Sequence, residues 1–410
     1  MSTHDHTPSG RGFDSSLGYF DHQNDYYTLR PETPFNTTFD HGPCPVAKQY
    51  KDLWDTDAPA AGAAAEMVAA GAYEEALLLD RATHLIQTHN ASTPLFLYYA
   101  FHIAHAPLEV PDEWLQKFAF ITDSDTRKKY HAMVAYMDHV VGNVTAQLKQ
   151  RGMWNSTLIV GSSDNGGPIY AGGGANNYPL KGGKLSDWEG GVRVNAFVSG
   201  GFLPAAARGT KASGMLSIAD WYATFAGLAG VDGSHDPSAA AAGLPRVDSM
   251  DMWPMIRSGG ANTSCARTYL HVSPSTFVSG RHKLIVGGGA TGVAAAPTRA
   301  RGLQGRIGGS TDQSGWTGPV YPNASSGPGG AGAANTWPVQ DCSDGCVFDI
   351  VNDPGEHHDL GPQNPALRAK LISWLATANR SIYAPARHPN DAGCCAQAER
   401  NGGFMGPWLP

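Results

Sequence analysis

Residues 158–167 read LIVGSSDNGG. An apolar run, Leu158-Ile159-Val160, passes through small residues and ends on Asp164-Asn165-Gly166-Gly167. Asp, Asn and Gly are the common turn formers, so an isolated ending of this kind reads as a turn. It also reads as a buried strand that delivers a carboxylate and an amide oxygen to a hard cation. The glycines would then allow close backbone approach. The surroundings have to decide between the two.

Upstream, Pro94 is followed by LFLYYAF over 95–101. This short apolar run between loop signals is expected to be a strand buried on both faces. Met133, Met137, Val140, Val144 and Leu148 then recur at three- and four-residue spacing, which lines one face of a helix that stops near Gly152. Strand, helix, strand implies a right-handed crossover between parallel strands. In open α/β sheets, ligands sit outside the carboxyl edge of such strands. That edge would carry His102-Ile103-Ala104-His105 from the first strand and Asp164-Asn165 from the second. Residues 194–198 (VNAFV) are a candidate third strand, and Ala- and Leu-rich residues 63–90 read as a helix.

Further along, helices are expected over 218–228 and about 365–379, an Ala-rich loop over 236–245, and a strand at CVFDI, 346–350. Residues 287–335 are rich in Gly, Ala, Ser and Thr without periodicity and read as a surface insertion. The expected organisation is an α/β domain over 1–268 and a small C-terminal α+β subdomain over 269–410 that contains this insertion.

The 410 residues are 41% hydrophobic, ample for a large core. The formal charge is −7 and no basic block is present, which argues against nucleic acid as a partner. No run of 18 apolar residues exists, so no transmembrane helix is expected. The first residues, MSTHDHTPSGRGFD, carry no apolar segment of the kind found in a signal peptide. Yet N-x-S/T sequons begin at Asn36, Asn90, Asn143, Asn155, Asn262, Asn323 and Asn379. These seven point to a secretory or lysosome-like compartment for a full-length form. Six cysteines are present, and Cys342 and Cys346 are close enough in sequence to close a short loop. No pair of C-x-x-C motifs indicates a zinc site.

Lys181 and Lys184 lie in the Gly-rich stretch NNYPLKGGKLSDWEGGVR, 176–193. Either can hold an anion as a point charge, or simply face solvent. Glu189 has no metal-binding spacing and reads as support for this loop. His105, before Ala106-Pro107, can protonate a leaving group or donate to an anion, with His102 as its rival.

Three stretches, FLYYAFHIAHAPLEVPDEW, YHAMVAYMDHVVGNVTAQLKQRGMWNSTLIVGSSDNGG and NNYPLKGGKLSDWEGGVR, resemble consecutive segments of type I sulfatases, above all the arylsulfatase B-like branch. The likeness resumes at SIADWYATFAGLAG, DSMDMWPMI, CVFDIVNDPGEHHDL and the final GPWLP. It implies an alkaline-phosphatase-like fold: a mixed, mainly parallel sheet flanked by helices. It also implies a calcium ion and hydrolysis of sulfate esters on a small molecule or a glycan. By motif, Asp164 and Asn165 match calcium ligands, His105 the active-site histidine, and Lys184 the sulfate-contacting lysine. Lys181 stands where that motif usually has Arg.

The family nucleophile, a formylglycine made from Cys or Ser in C-x-P-S-R or S-x-P-S-R, has no counterpart here. Thr7-Pro8-Ser9-Gly10-Arg11 is only a near miss. The N-terminal aspartate pair and the G-K-W-H-L-G segment are absent as well. HTPSGRGFDSSLGYF resembles the stretch that follows G-K-W-H-L-G. The expectation is therefore a sulfatase lacking its N-terminal portion, with some strands missing, and inactive as written. Two other readings stay open: a related phosphoester hydrolase with two zinc ions, and a non-catalytic sulfatase-like protein.

Overall fold

The computed structural model describes residues 3–20, 24–30, 50–122, 124–169, 173–262, 267–287, 342–382 and 393–409. The chain divides into two compact units, Met1–Met153 with Pro385–Pro410, and Trp154–Ala384.

In the first unit, short strands β1 (Leu17–Gly18), β2 (Trp54–Asp55) and β3 (Ala58–Pro59) form a small antiparallel sheet. Helices follow: α1 (Ala61–Ala70), α2 (Glu74–Thr88), α3 (Asp112–Gln116) and α4 (Asp125–Gln150). The single helix expected over 63–90 is two, because Gly71 takes φ +60° and turns the chain. The Ala72 N–H reaches back to the Met67 carbonyl at 2.9 Å, which satisfies an end carbonyl of α1. At the start of α4, Ser124 Oγ accepts the Arg127 N–H at 3.2 Å. Its apolar face buries Ala132, Met133, Tyr136 and Val140 against Tyr26, Tyr73 and Leu79. Burying such side chains stabilises by about 1.5–3 kcal/mol each.

Residues 95–101 form no strand, contrary to the sequence reading. They do alternate. Tyr99 and Phe101 pack on the α2–α4 core, while Phe96 and Tyr98 are 62% and 72% exposed. A strand is defined by its hydrogen-bonded neighbour, and none pairs with this segment among the described residues. The parallel crossover expected from it is therefore not formed there.

In the second unit, β4 (Ile159–Ser162) pairs antiparallel with β5 (Ala196–Ser199). Gly161 faces Phe197, and a Cβ on Gly161 would lie 2.3 Å from the Phe197 ring. The connection between these strands carries a one-turn helix, α5 (Glu189–Val192). Then come α6 (Asp220–Leu228), α7 (Pro237–Ala241) and α8 (Trp253–Arg257). The stretch read as an Ala-rich loop contains α7, because Asp236 Oδ1 caps it from Ala239 N at 2.9 Å. Arg267 pairs with the buried Asp220 at the start of α6, Nη2 to Oδ1 at 2.6 Å.

An antiparallel sheet follows: β6 (Tyr269–Ser273), β7 (Thr276–Ser279), β8 (His282–Gly287) and β9 (Cys342–Asp349), in that order. Helix α9 (Pro365–Ala378) covers it through Leu371 and Leu375 on Phe277, Leu284 and Val347. Cys342 and Cys346 are disulfide-bonded, as their spacing allows. The insertion expected over 287–335 lies outside the described residues beyond Gly287. A last helix, α10 (Gly393–Arg400), belongs to the first unit.

Candidate active site

Asp164 and Asn165 sit immediately past β4, where the last ladder bond runs from Ser163 N to Asn195 O at 3.1 Å. The chain then leaves the strand and lies against the 181–191 segment. Gly166 N donates to Gly191 O at 2.9 Å, and Lys184 N donates to Gly167 O at 3.2 Å. Asn177 ties both pieces together. Its Oδ1 accepts from Gly167 N at 3.0 Å, and its Nδ2 donates to Gly167 O and Gly182 O at 2.8 and 3.1 Å. Only glycine fits this contact. A Cβ on Gly166 would lie 1.7 Å from Gly190 O, and one on Gly183 would lie 2.5 Å from Gly167 O.

The Asp-Asn-Gly-Gly ending is thus a bend off the strand, and it brings Asp164 and Asn165 beside the loop of Lys184. The Asn165 amide nitrogen donates to Asp164 Oδ1 at 2.9 Å, which turns the amide oxygen into the remaining candidate metal donor of that side chain. Lys184 is half-buried. Burial lowers the pKa of its ammonium, and the charge of Asp164 opposes that fall.

The two lysines have different fates. Lys181 is 2% exposed, with Nζ 3.8 Å from the Trp188 ring centroid and 3.4 Å from the Glu356 carbonyl oxygen. It is a buried structural cation. Glu189 supports the loop, as its context suggested, by an ion pair from Oε1 to Lys283 Nζ at 3.0 Å. Lys283 and Glu356 were not legible as part of this region. They lie about a hundred and more positions downstream, and although Glu356 falls within CVFDIVNDPGEHHDL, nothing in the sequence says which loop either residue meets.

His105 lies in the first unit, in the loop after residues 95–101. The Tyr26 hydroxyl donates to the carbonyls of His102 and His105 at 2.9 and 3.1 Å, which fixes that loop. His105 Nδ1 lies 2.8 Å from Ala106 O. A proton on Nδ1 would make that bond and leave Nε2 as the acceptor nitrogen. His102 is held differently, with Nδ1 3.3 Å from the buried carboxylate of Glu74 and its ring 3.9 Å from that of Tyr19.

The sulfatase family model matches residues 1–231. The chain belongs to the sulfatase family. It is 30% identical to mouse arylsulfatase J over 407 residues, 98% of this chain and 61% of that protein. It is 28% identical to rat N-acetylgalactosamine-6-sulfatase over 187 residues, 45% of this chain and 32% of that one. The sulfatase-family chain thus spans less than two thirds of these relatives. Among solved structures it is similar to Ps i-CgsB in complex with k-i-k-neocarrahexaose, with a TM-score of 0.63, 22% identity, and coverage of 97% of this chain and 73% of that one. The sulfatase PsFucS1 from Pseudoalteromonas sp. gives a TM-score of 0.53 at 18% identity over 78% of this chain and 54% of its own. The fold is the mixed α/β, alkaline-phosphatase-like fold of these sulfatases. Within it, the strand pairs of the described residues are antiparallel, and the isolated bridges Thr3–Leu409 and Lys51–Phe404 are parallel.

Proposed function

We propose that the chain carries part of the site of a sulfate ester hydrolase. The observation that supports this most is the glycine-to-glycine contact that sets Asp164 and Asn165 against the Lys184 loop. One side offers oxygen donors and the other a partly desolvated ammonium, a combination suited to an anionic ester bound beside a cation. Lys184 would hold a sulfate oxygen as a point charge.

Calcium is the metal this reading calls for. An adjacent carboxylate and amide oxygen fit the donor chemistry of a hard cation that takes six to eight oxygens. Among the described residues, however, no group of three or more His, Cys, Asp or Glu side chains gathers around such a position. Asp164 and Asn165 fit calcium as two ligands of an incomplete set. A bound calcium would offset negative charge on the sulfate. The 410 residues also contain no C-x-P-S-R or S-x-P-S-R motif, so no nucleophilic step is assigned to them.

The substrate class we propose is a sulfated glycan. Sequence relatives include an N-acetylgalactosamine-6-sulfatase, and a structural neighbour was solved with a neocarrahexaose. We also infer a secretory, glycosylated protein. At the sequon of Asn90, an exposed position, Ser92 Oγ donates to Asn90 Oδ1 at 2.8 Å. The amides of Asn143 and Asn379 are instead tied to His139 O and Pro274 O.

The test is retention of a sulfated disaccharide by the purified chain. Binding that falls at least about tenfold in Lys184→Ala supports the reading, in line with loss of a charge-assisted contact. Equal binding by the variant overturns it.

A further inference from the structure

Lys283, the second residue of β8, is fully buried. Its Nζ lies 3.0 Å from Glu189 Oε1 and 2.9 Å from Glu356 Oε1. Glu356 is also fully buried and holds φ at +52°, a left-handed conformation that costs a non-glycine residue energy. That conformation is put to use twice. Glu356 Oε2 accepts the backbone N–H of Glu189 at 2.6 Å, and its carbonyl oxygen accepts from Lys181 Nζ at 3.4 Å. Both ends of the 181–189 stretch are therefore fastened to one residue.

Between them, Asp187 Oδ2 accepts three hydroxyls from the β6–β7 turn region: Ser273, Ser275 and Thr276, at 2.6, 2.8 and 2.7 Å. Gly190 N then closes the loop on Lys181 O at 2.7 Å. The next residue, Gly191, is the one that receives Gly166 N.

Burying an ion triad is costly, and apolar groups of the same size would often be at least as stable. Its place here, directly behind the segment that meets Asp164, calls for a reason beyond stability. We propose that Lys283 and Glu356 are positioning residues that hold the Lys181–Arg193 segment, and with it Lys184, against Asp164. The C-terminal sheet is then part of the active-site scaffold. This rests on the reading of Lys184 and Asp164 as the anion and cation sides of one site, and it adds what keeps them together. Glu356→Gln keeps the side chain's size but removes the charge that faces Lys283 and weakens the acceptor of the Glu189 N–H.

The experiment compares wild type with Glu356→Gln by amide hydrogen exchange and by competitive acetylation of Lys184 with acetic anhydride across pH. In the variant, amides of 181–191 exchange at least about tenfold faster, as expected for a locally loosened segment. The pH of half-labelling of Lys184 rises towards that of an ordinary lysine, while amides of β6 and β7 keep their protection. A folded variant in which loop exchange and the Lys184 profile both match wild type overturns the proposal. If Glu356→Gln fails to fold, the double variant K283M/E356L replaces the pair by apolar groups and is read against the same two outcomes. Lys184→Ala separates the two readings. Sulfated disaccharide retained equally by Lys184→Ala overturns the site assignment, whereas the loop-exchange result bears on the positioning alone.

Discussion

Gly166 and Gly190 meet backbone to backbone, with 1.7 Å between a Cβ built on the first and the carbonyl oxygen of the second. No side chain can be inserted there without moving Asp164 away from the Lys184 loop. Gly166→Ala is therefore expected to destabilise the chain by at least the upper end of the about 1–3 kcal/mol typical of overpacking. Gly62, within α1 and with nothing near its Cβ position, is the control. Gly62→Ala should be neutral or stabilising by up to about 1 kcal/mol. Denaturant unfolding of the two variants checks both signs.

Glu356 gives stability a pH dependence. Its carboxyl is raised by burial from 4.5 to about 7 in the folded chain, with Lys283, Glu189 and Lys181 as the charged groups facing it. A raised carboxyl binds more protons folded than unfolded across that window. Unfolding free energy therefore falls as pH rises from about 4.5 to about 7. Glu356→Gln should flatten this part of the profile. Urea midpoints between pH 4 and 8 measure it, and a wild-type slope that survives the substitution contradicts the assignment.

Calcium should bind this chain weakly. Among the described residues, the Asp164 carboxylate and the Asn165 amide oxygen are far short of the six to eight ligands of a strong site. Titration calorimetry is expected to give a dissociation constant in or above the range of about 10⁻⁴–10⁻³ M, and Asp164→Asn should remove the remaining heat. Submicromolar binding would mean that a fuller ligand set is present.

The sequence was informative where a side chain's neighbours are local. The α4 stripe from Met133 to Leu148 is read from spacing, the apolar runs ending at Val160 and spanning 194–198 overlap β4 and β5, and the lysine-bearing loop is read from its glycines. The split between α1 and α2 was missed because Gly71 sits in an Ala-rich run whose helical signal outweighs one residue. Residues 95–101 misled for a different reason. Their apolar character implies burial on two sides, yet pairing depends on partners distant in sequence. The same distance hid Lys283 and Glu356, since nothing in a β8 lysine announces which loop it will hold. Family motifs supplied what spacing could not, namely which of two lysines and which of two histidines to favour. In the structure Lys181 packs on Trp188 and His102 lies beside Glu74.

The central claim is that Asp164 and Lys184 face one another across a single site. NMR titration of the Lys184 side chain in wild type and Asp164→Asn tests it most directly. In wild type, burial lowers the Lys184 pKa and Asp164 partly restores it, so removing the carboxylate charge should lower it further. An Asp164→Asn chain that folds normally and leaves the Lys184 titration where it was would contradict the account.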